Sequence, residues 1–126
     1  MLAASPMCEF ASLERCAAYV AARSALIAVQ DASVRWPEAL GDRVRGGASD
    51  AVQFTAQAIS HGHTTAARRQ CLREAITAAL GVAASVDAAR AMGYGALDAA
   101  ELQRLAGRAV ALLAMLLHAS TSLAGM

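Results

Sequence analysis

Alanine constrains the fold of this chain more than any other feature of its sequence. It supplies 34 of the 126 residues, and it is the strongest helix former among the amino acids. The aromatic residues that favour strands are scarce, with one Trp, two Tyr and two Phe. A hydrophobic fraction of 57% excludes a disordered chain. The sequence therefore predicts an all-α fold.

Three breaks divide the chain into four amphipathic segments. They lie at Trp36-Pro37, at residues 61–65 and at residues 93–95, where proline or glycine interrupts the pattern. Between the breaks, apolar residues recur at spacings of three and four, as in a helix with one buried face. We expect helices over residues 7–33, 37–60, 65–92 and 99–121.

Capping signals support these boundaries. Ser5-Pro6 is typical of a helix start, and Thr64 or Thr65 can cap the third helix. Asp98 with Glu101 forms a capping box, next to a staple between Leu97 and a leucine one turn into the helix. The second helix carries three glycines that either permit close packing or mark a kink, namely Gly41, Gly46 and Gly47.

Short breaks between long helices favour antiparallel neighbours. We therefore predict one domain over residues 1–126, an antiparallel up-down-up-down four-helix bundle. Alanine buries little area, so the core of one subunit is thin and we expect a homo-oligomer. Leu113 and Leu117 widen the apolar face of the fourth helix and are the predicted subunit contacts.

Cysteine content, charge and targeting signals favour a cytoplasmic protein. An odd number of cysteines, three, without the regular spacing of a disulfide framework argues against a disulfide-stabilised fold. No signal peptide is predicted, and the longest strongly apolar run, residues 109–117, is about half of a membrane span. The net charge of +1 attracts neither nucleic acid nor a membrane globally, so such binding needs a local patch.

Several motifs together resemble a known family. They are the Trp36-Pro37 step, the run Ala75-Ile76-Thr77-Ala78-Ala79-Leu80, the helix ending Ala89-Arg90-Ala91-Met92-Gly93-Tyr94, and an acid-capped, leucine-rich fourth helix. This layout resembles the four-helix bundle family encoded by intervening sequences of 23S ribosomal RNA genes. The accessory variability determinant of diversity-generating retroelements belongs to the same superfamily. The resemblance implies a homopentameric ring and, for the retroelement branch, a basic surface for a reverse transcriptase and nucleic acid.

Two arginine groups are candidate binding sites for nucleic acid or another acidic partner. Arg68, Arg69 and Arg73 begin the third helix, where the helix dipole disfavours cations. Arg104 and Arg108 form a strip on the fourth helix, with Glu101 one turn before Arg104. Arginine forks fit phosphates and carboxylates. The alternative for each group is a solvated helix face.

Chemistry at a metal or a catalytic centre has little support in the sequence. His61, His63 and Cys71 are possible metal ligands, but their spacing is typical of a polar loop. The Glu-x-x-His pattern of di-iron bundles, a Gly-rich phosphate loop and a nucleophile elbow are all missing. We expect no enzyme activity, no metal and no cofactor.

The leading hypothesis is a non-enzymatic oligomeric scaffold or adaptor, with a pentamer favoured, that binds nucleic acid or a nucleic-acid enzyme through an arginine cluster. One alternative is a protein-only assembly module that recruits a partner protein through an apolar face. A second alternative is a bundle that binds a metal or a small molecule.

Overall fold

The computed structural model describes residues 13–94 and 99–124, and every regular element in these ranges is helical. Helix α1 spans Ala17–Ala32 and continues as a 3₁₀ turn, Ser33–Arg35. Helices α2, α3 and α4 span Glu38–Ser60, Ala66–Ala91 and Ala99–Ala124. The all-α prediction is confirmed.

The start of the first predicted helix differs from the expectation. Residues 13–15 are helical, but Cys16 has an extended backbone with φ −84° and ψ 113°, and α1 begins after it. The predicted cap at Ser5-Pro6 lies outside the described residues, as do Leu97 and Asp98.

Local sequence explains the other boundaries. Trp36 has ψ 160°, the extended conformation that a following proline favours, and α2 begins directly after Pro37. The Thr65 hydroxyl accepts a hydrogen bond from the Arg68 backbone N–H at 3.2 Å, which confirms a threonine cap for α3.

Helix α3 ends in a Schellman motif. Gly93 has φ +87°, a conformation that L side chains rarely adopt. The Tyr94 N–H donates to the Ala89 carbonyl at 2.8 Å, and the Gly93 N–H donates to the Arg90 carbonyl at 3.0 Å. These two bonds satisfy carbonyls that would otherwise lack partners at the helix end.

Each long helix makes its main contacts with two others: α2 with α1 and α3, and α4 with α3 and α1. The buried side chains form two clusters. One combines the end of α1, the start of α2, the end of α3 and the start of α4, and includes Val29, Val44, Val86 and Leu102. The other combines the opposite ends of the same helices and includes Ala22, Ala58, Leu72 and Leu113.

Alanine dominates the interior. More than half of the buried apolar residues in the described chain are alanines. Between the two clusters, α1, α2 and α4 each contribute two alanines and α3 contributes Ala79 and Val82, around a void of about 10 Å³. The largest fully buried side chains are those of Leu72 and Leu113.

The predicted role of Leu113 as a subunit contact is wrong. Its side chain is 0% exposed and packs in the protein's own core, so a second subunit cannot reach it. Leu117 is half-buried and packs against the same cluster.

Gly47 permits close packing of α2 on α3. A Cβ atom at this position would lie 3.3 Å from Val82 Cγ2 and 3.4 Å from the Ala78 carbonyl oxygen. A Cβ atom at Gly46 would meet nothing within 4 Å. Of the two explanations for the α2 glycines, Gly47 therefore fits close packing.

Helix α4 is the described helix that meets the length and composition criteria for a membrane span. Its segment Ala99–Leu123 has the length and composition of a membrane-spanning helix, with a mean hydropathy of 1.3, and 22% of that window is buried in the protein. Core helices of soluble proteins meet the same two criteria, and α4 packs along both α1 and α3.

Candidate functional site

The arginines at the start of α3 do not form one surface. Arg68 is 8% exposed, and its Nη1 lies 3.4 Å from the Ala58 carbonyl oxygen and 3.3 Å from that of His61. Its guanidinium thus caps the carboxyl end of α2, where the helix dipole favours a cation. We correct the predicted binding role of Arg68, because its donors point into the protein.

The two neighbouring arginines are separated from Arg68. Arg69 is half-buried and donates from Nη1 to the Thr64 carbonyl oxygen at 2.6 Å, which ties α3 to the preceding loop. Arg73 is exposed and forms no ion pair with any described residue. Within the described part of the chain, Arg73 is therefore the member of this group whose guanidinium has no hydrogen-bond or ion-pair partner.

The arginines of α4 line an open groove between α1 and α4. This groove has a volume of about 300 Å³. Arg104 and Arg108 approach it from α4, and Arg15 and Glu14 approach it from the residues before α1. The other residues that line it are mostly apolar: Ala17, Val20, Ala21, Ser24 and Leu105. We call these residues the arginine groove.

Hydrogen bonds divide the arginines of the groove into two kinds. Arg104 donates two hydrogen bonds to the Glu101 carboxylate, from Nε to Oε2 at 2.9 Å and from Nη2 to Oε1 at 2.6 Å. The hydrogen bond from Arg104 lowers the pKa of Glu101, and the same bond raises the pKa of Arg104. Arg15 and Arg108 form no ion pair within the described part of the chain.

Arg15 is the residue that sequence reasoning missed. Nothing in the sequence relates this residue of the first helical segment to α4. The fold brings it to the same groove as Arg108, a residue more than ninety positions later in the chain.

A second groove, of about 390 Å³, lies at the other end of the same helix pair. Its charged side chains are Asp31, Arg35 and Glu101, beside Ala28, Ala32 and Leu102. Two carboxylates against one guanidinium do not suit an anionic ligand, so the arginine groove is the stronger candidate.

The histidine loop does not assemble a metal site. Among residues 13–94 and 99–124, no three His, Cys, Asp or Glu side chains come together as metal ligands. His61 and His63 are exposed, whereas Cys71 is half-buried against the core. The Ser120 hydroxyl donates to the His63 carbonyl oxygen at 2.7 Å, which fixes the loop to the end of α4.

Several large apolar side chains remain exposed on the described surface. They are Val20, Ile27, Val34, Leu80, Met92, Tyr94, Met115 and Leu123. Three of them lie on the outer face of α1 and its 3₁₀ extension.

Compared with known protein families, with curated proteins and with solved structures, the chain has no significant match.

Proposed function

We propose that this chain is a non-enzymatic, homo-oligomeric adaptor that binds nucleic acid through the arginine groove. The observation that carries the proposal is that Arg15 and Arg108 line one open groove from two different helical segments and form no ion pair with a described residue. Guanidinium groups in such an arrangement suit the spaced oxygens of a phosphate backbone. A cytoplasmic location goes with this proposal, because nucleic acid and reduced cysteines are found there.

We infer that the four long helices run up-down-up-down, each antiparallel to its chain neighbours. The membership of the two core clusters supports this topology. Each cluster takes the end of one helix and the start of the next, as for Val29 with Val44, and Val86 with Leu102. Short connections between long helices favour the same arrangement.

The proposed oligomer is supported by the thin core and by the exposed apolar side chains. Small domains whose interior is mostly alanine gain little from their own burial, so a subunit contact adds stabilisation. The pentamer that the family resemblance implies stays a prediction.

Salt-dependent binding of labelled RNA and DNA tests the nucleic-acid proposal. Fluorescence anisotropy of single-stranded and duplex oligonucleotides should show binding that weakens by about tenfold between roughly 50 and 200 mM salt, as two phosphate contacts require. An Arg15→Ala/Arg108→Ala variant should lower the slope of log K against log salt by about 2.

Arg90→Ala is the matched control, because Arg90 is exposed in the last turn of α3, outside the groove. It should leave the affinity and the salt slope unchanged. Absence of salt-sensitive binding to every oligonucleotide, or equal binding by the groove variant and the control, would overturn the proposal.

A second candidate is a protein-only assembly module. The exposure of Met115, at 67% on the outer surface of α4, favours it. In that case the oligomer forms and the groove variant leaves all binding unchanged, whereas Met115→Lys abolishes capture of the partner protein.

A further inference from the structure

The outer face of α1 carries an apolar stripe that no described element covers. Val20, Ile27 and Val34 are 40%, 55% and 76% exposed and lie seven residues apart. Seven residues make almost two helical turns, so the three side chains follow one line along α1 and its 3₁₀ extension. The buried residues of α1, Ala18, Ala21, Ala22, Ala25 and Val29, lie on the opposite face.

The charges beside this stripe are arranged symmetrically about Ile27. Arg23 precedes Ile27 by four residues and Asp31 follows it by four, while Val20 and Val34 lie seven residues to either side. The spacing of apolar and charged residues from Ile27 is therefore the same towards the N-terminus and towards the C-terminus, but the charge is positive on one side and negative on the other. Arg23 contacts the exposed Glu14 at 3.2 Å, and Asp31 forms no ion pair within the described ranges.

We propose that this stripe binds the same stripe of a second copy, with the two α1 helices antiparallel about a twofold axis at Ile27. In that arrangement Ile27 meets itself and Val20 lies opposite Val34. Arg23 of each copy lies at the same level as Asp31 of the other, so unlike charges flank the seam at both ends. A parallel pair would instead bring Arg23 level with Arg23, and like charges at one level repel.

The charge pattern selects a second copy over other occupants. A membrane with anionic lipids attracts cations, whereas here Arg23 and Asp31 cancel. A partner of unrelated sequence has no need of a pattern that is symmetric about one residue. Self-complementarity is the requirement of an isologous contact, in which the same patch serves both subunits.

This inference rests on the proposed oligomer, for which it names the surface. Val20 also lines the arginine groove, so the contact between copies borders the proposed nucleic-acid site. An isologous contact pairs copies two by two. It therefore builds a dimer or another even-numbered assembly and does not close a ring of five.

Sedimentation equilibrium and native mass spectrometry of the full chain test the contact. We expect an even-numbered species over about 1–100 μM, and Ile27→Lys should weaken its association at least about 100-fold, because two like charges then meet at the axis. Leu80→Lys is the matched control. Leu80 is 53% exposed on α3, close to the 55% of Ile27, and its substitution should leave the association unchanged.

Charge reversal tests the antiparallel register. Arg23→Asp and Asp31→Arg should each weaken self-association about tenfold, because each places like charges level with one another. A mixture of the two variants should form a mixed pair of wild-type strength, since each copy then supplies the charge that the other needs. Circular dichroism of each variant confirms that its helices are intact.

Two kinds of result would overturn the inference. Monomers at every concentration would overturn it together with the proposed oligomer. An assembly of five copies, an oligomer that Ile27→Lys leaves intact, or single charge reversals without effect would overturn this contact and leave the proposed oligomer standing.

Discussion

The two sides of the bundle pack differently. Helices α2 and α3 share the most extensive contact in the molecule, with Gly47 set against Ala78 and Val82. Helices α1 and α4 meet over a smaller contact, and both open grooves, of about 300 and 390 Å³, lie along their line of contact. Small residues at a contact allow the backbones of two helices to approach closely, so the α2–α3 contact leaves no room for a ligand. The α1–α4 pair is therefore the side that has room for the proposed partner.

Arginine shows the same difference between the two sides. On the α2–α3 side, Arg68 is buried and its guanidinium serves the end of α2. On the α1–α4 side, Arg15 and Arg108 face an open groove. One residue type thus supports the fold on one side and lines the proposed binding site on the other.

Replacing Arg68 should produce the largest change in stability that this comparison predicts. Arg68→Ala removes the donors near the Ala58 and His61 carbonyls and leaves a gap at the end of α2. We expect the free energy of unfolding to fall by about 1–3 kcal/mol, the usual cost of leaving buried polar groups without partners. Urea unfolding followed by circular dichroism measures it.

Arg69→Ala is the control for this prediction. Its bond to the Thr64 carbonyl lies at an exposed loop, so we expect a change within about 0.5 kcal/mol. If both variants are equally stable, Arg68 does not anchor the closed side of the bundle, and its burial has no energetic consequence.

Adjacent glycines on α2 provide a sharper test of close packing. Gly46→Ala should raise the free energy of unfolding by about 0.5–1 kcal/mol, because alanine is the better helix former and its Cβ meets nothing within 4 Å. Gly47→Ala should instead lower it by about 1 kcal/mol, since its Cβ would press on the buried Val82 side chain at 3.3 Å.

Thermal or urea unfolding of the two variants gives the comparison directly. Equal stabilisation by both substitutions would show that α3 moves away from α2 at no cost, and the α2–α3 contact would then be no tighter than the α1–α4 contact.

The sequence predicts the helices well because their boundaries are set by local chemistry. Trp36-Pro37 separates α1 from α2, and Thr65 caps α3, as expected from proline geometry and from side-chain acceptors. The break at Cys16 was missed. No proline or glycine lies at this position, and a cysteine side chain gives no signal for the extended backbone conformation of Cys16.

The candidate site could be predicted only in part. Arg104 and Arg108 were identified on α4, but their relation to Arg15 depends on how α1 packs against α4. Leu113 is a predicted subunit contact, yet its side chain is 0% exposed. The spacing of leucines does not tell which edge of a wide apolar face points to the core. In the sequence, nothing distinguishes Arg68 from Arg69 and Arg73. Its position on α3 turns its side chain to the core, whereas Arg73 is exposed.

The smallest effect concerns the ion pair at the edge of the open side. Arg104→Ala should raise the pKa of Glu101 towards its ordinary value, because the hydrogen bond from Arg104 is the main cause of its lowering. In the wild type, the pair's contribution to stability is complete above the ordinary carboxyl pKa and is lost as the pH falls through the lowered pKa of Glu101. The difference in stability between wild type and Arg104→Ala should therefore shrink on acidification.

Carboxyl NMR titration of Glu101 measures the shift of its pKa, and Arg108→Ala is the control that should leave this shift in place. If the pKa of Glu101 is the same in all three proteins, Arg104 is not held by Glu101. It would then join Arg15 and Arg108 as a groove arginine without an ion pair to any described residue.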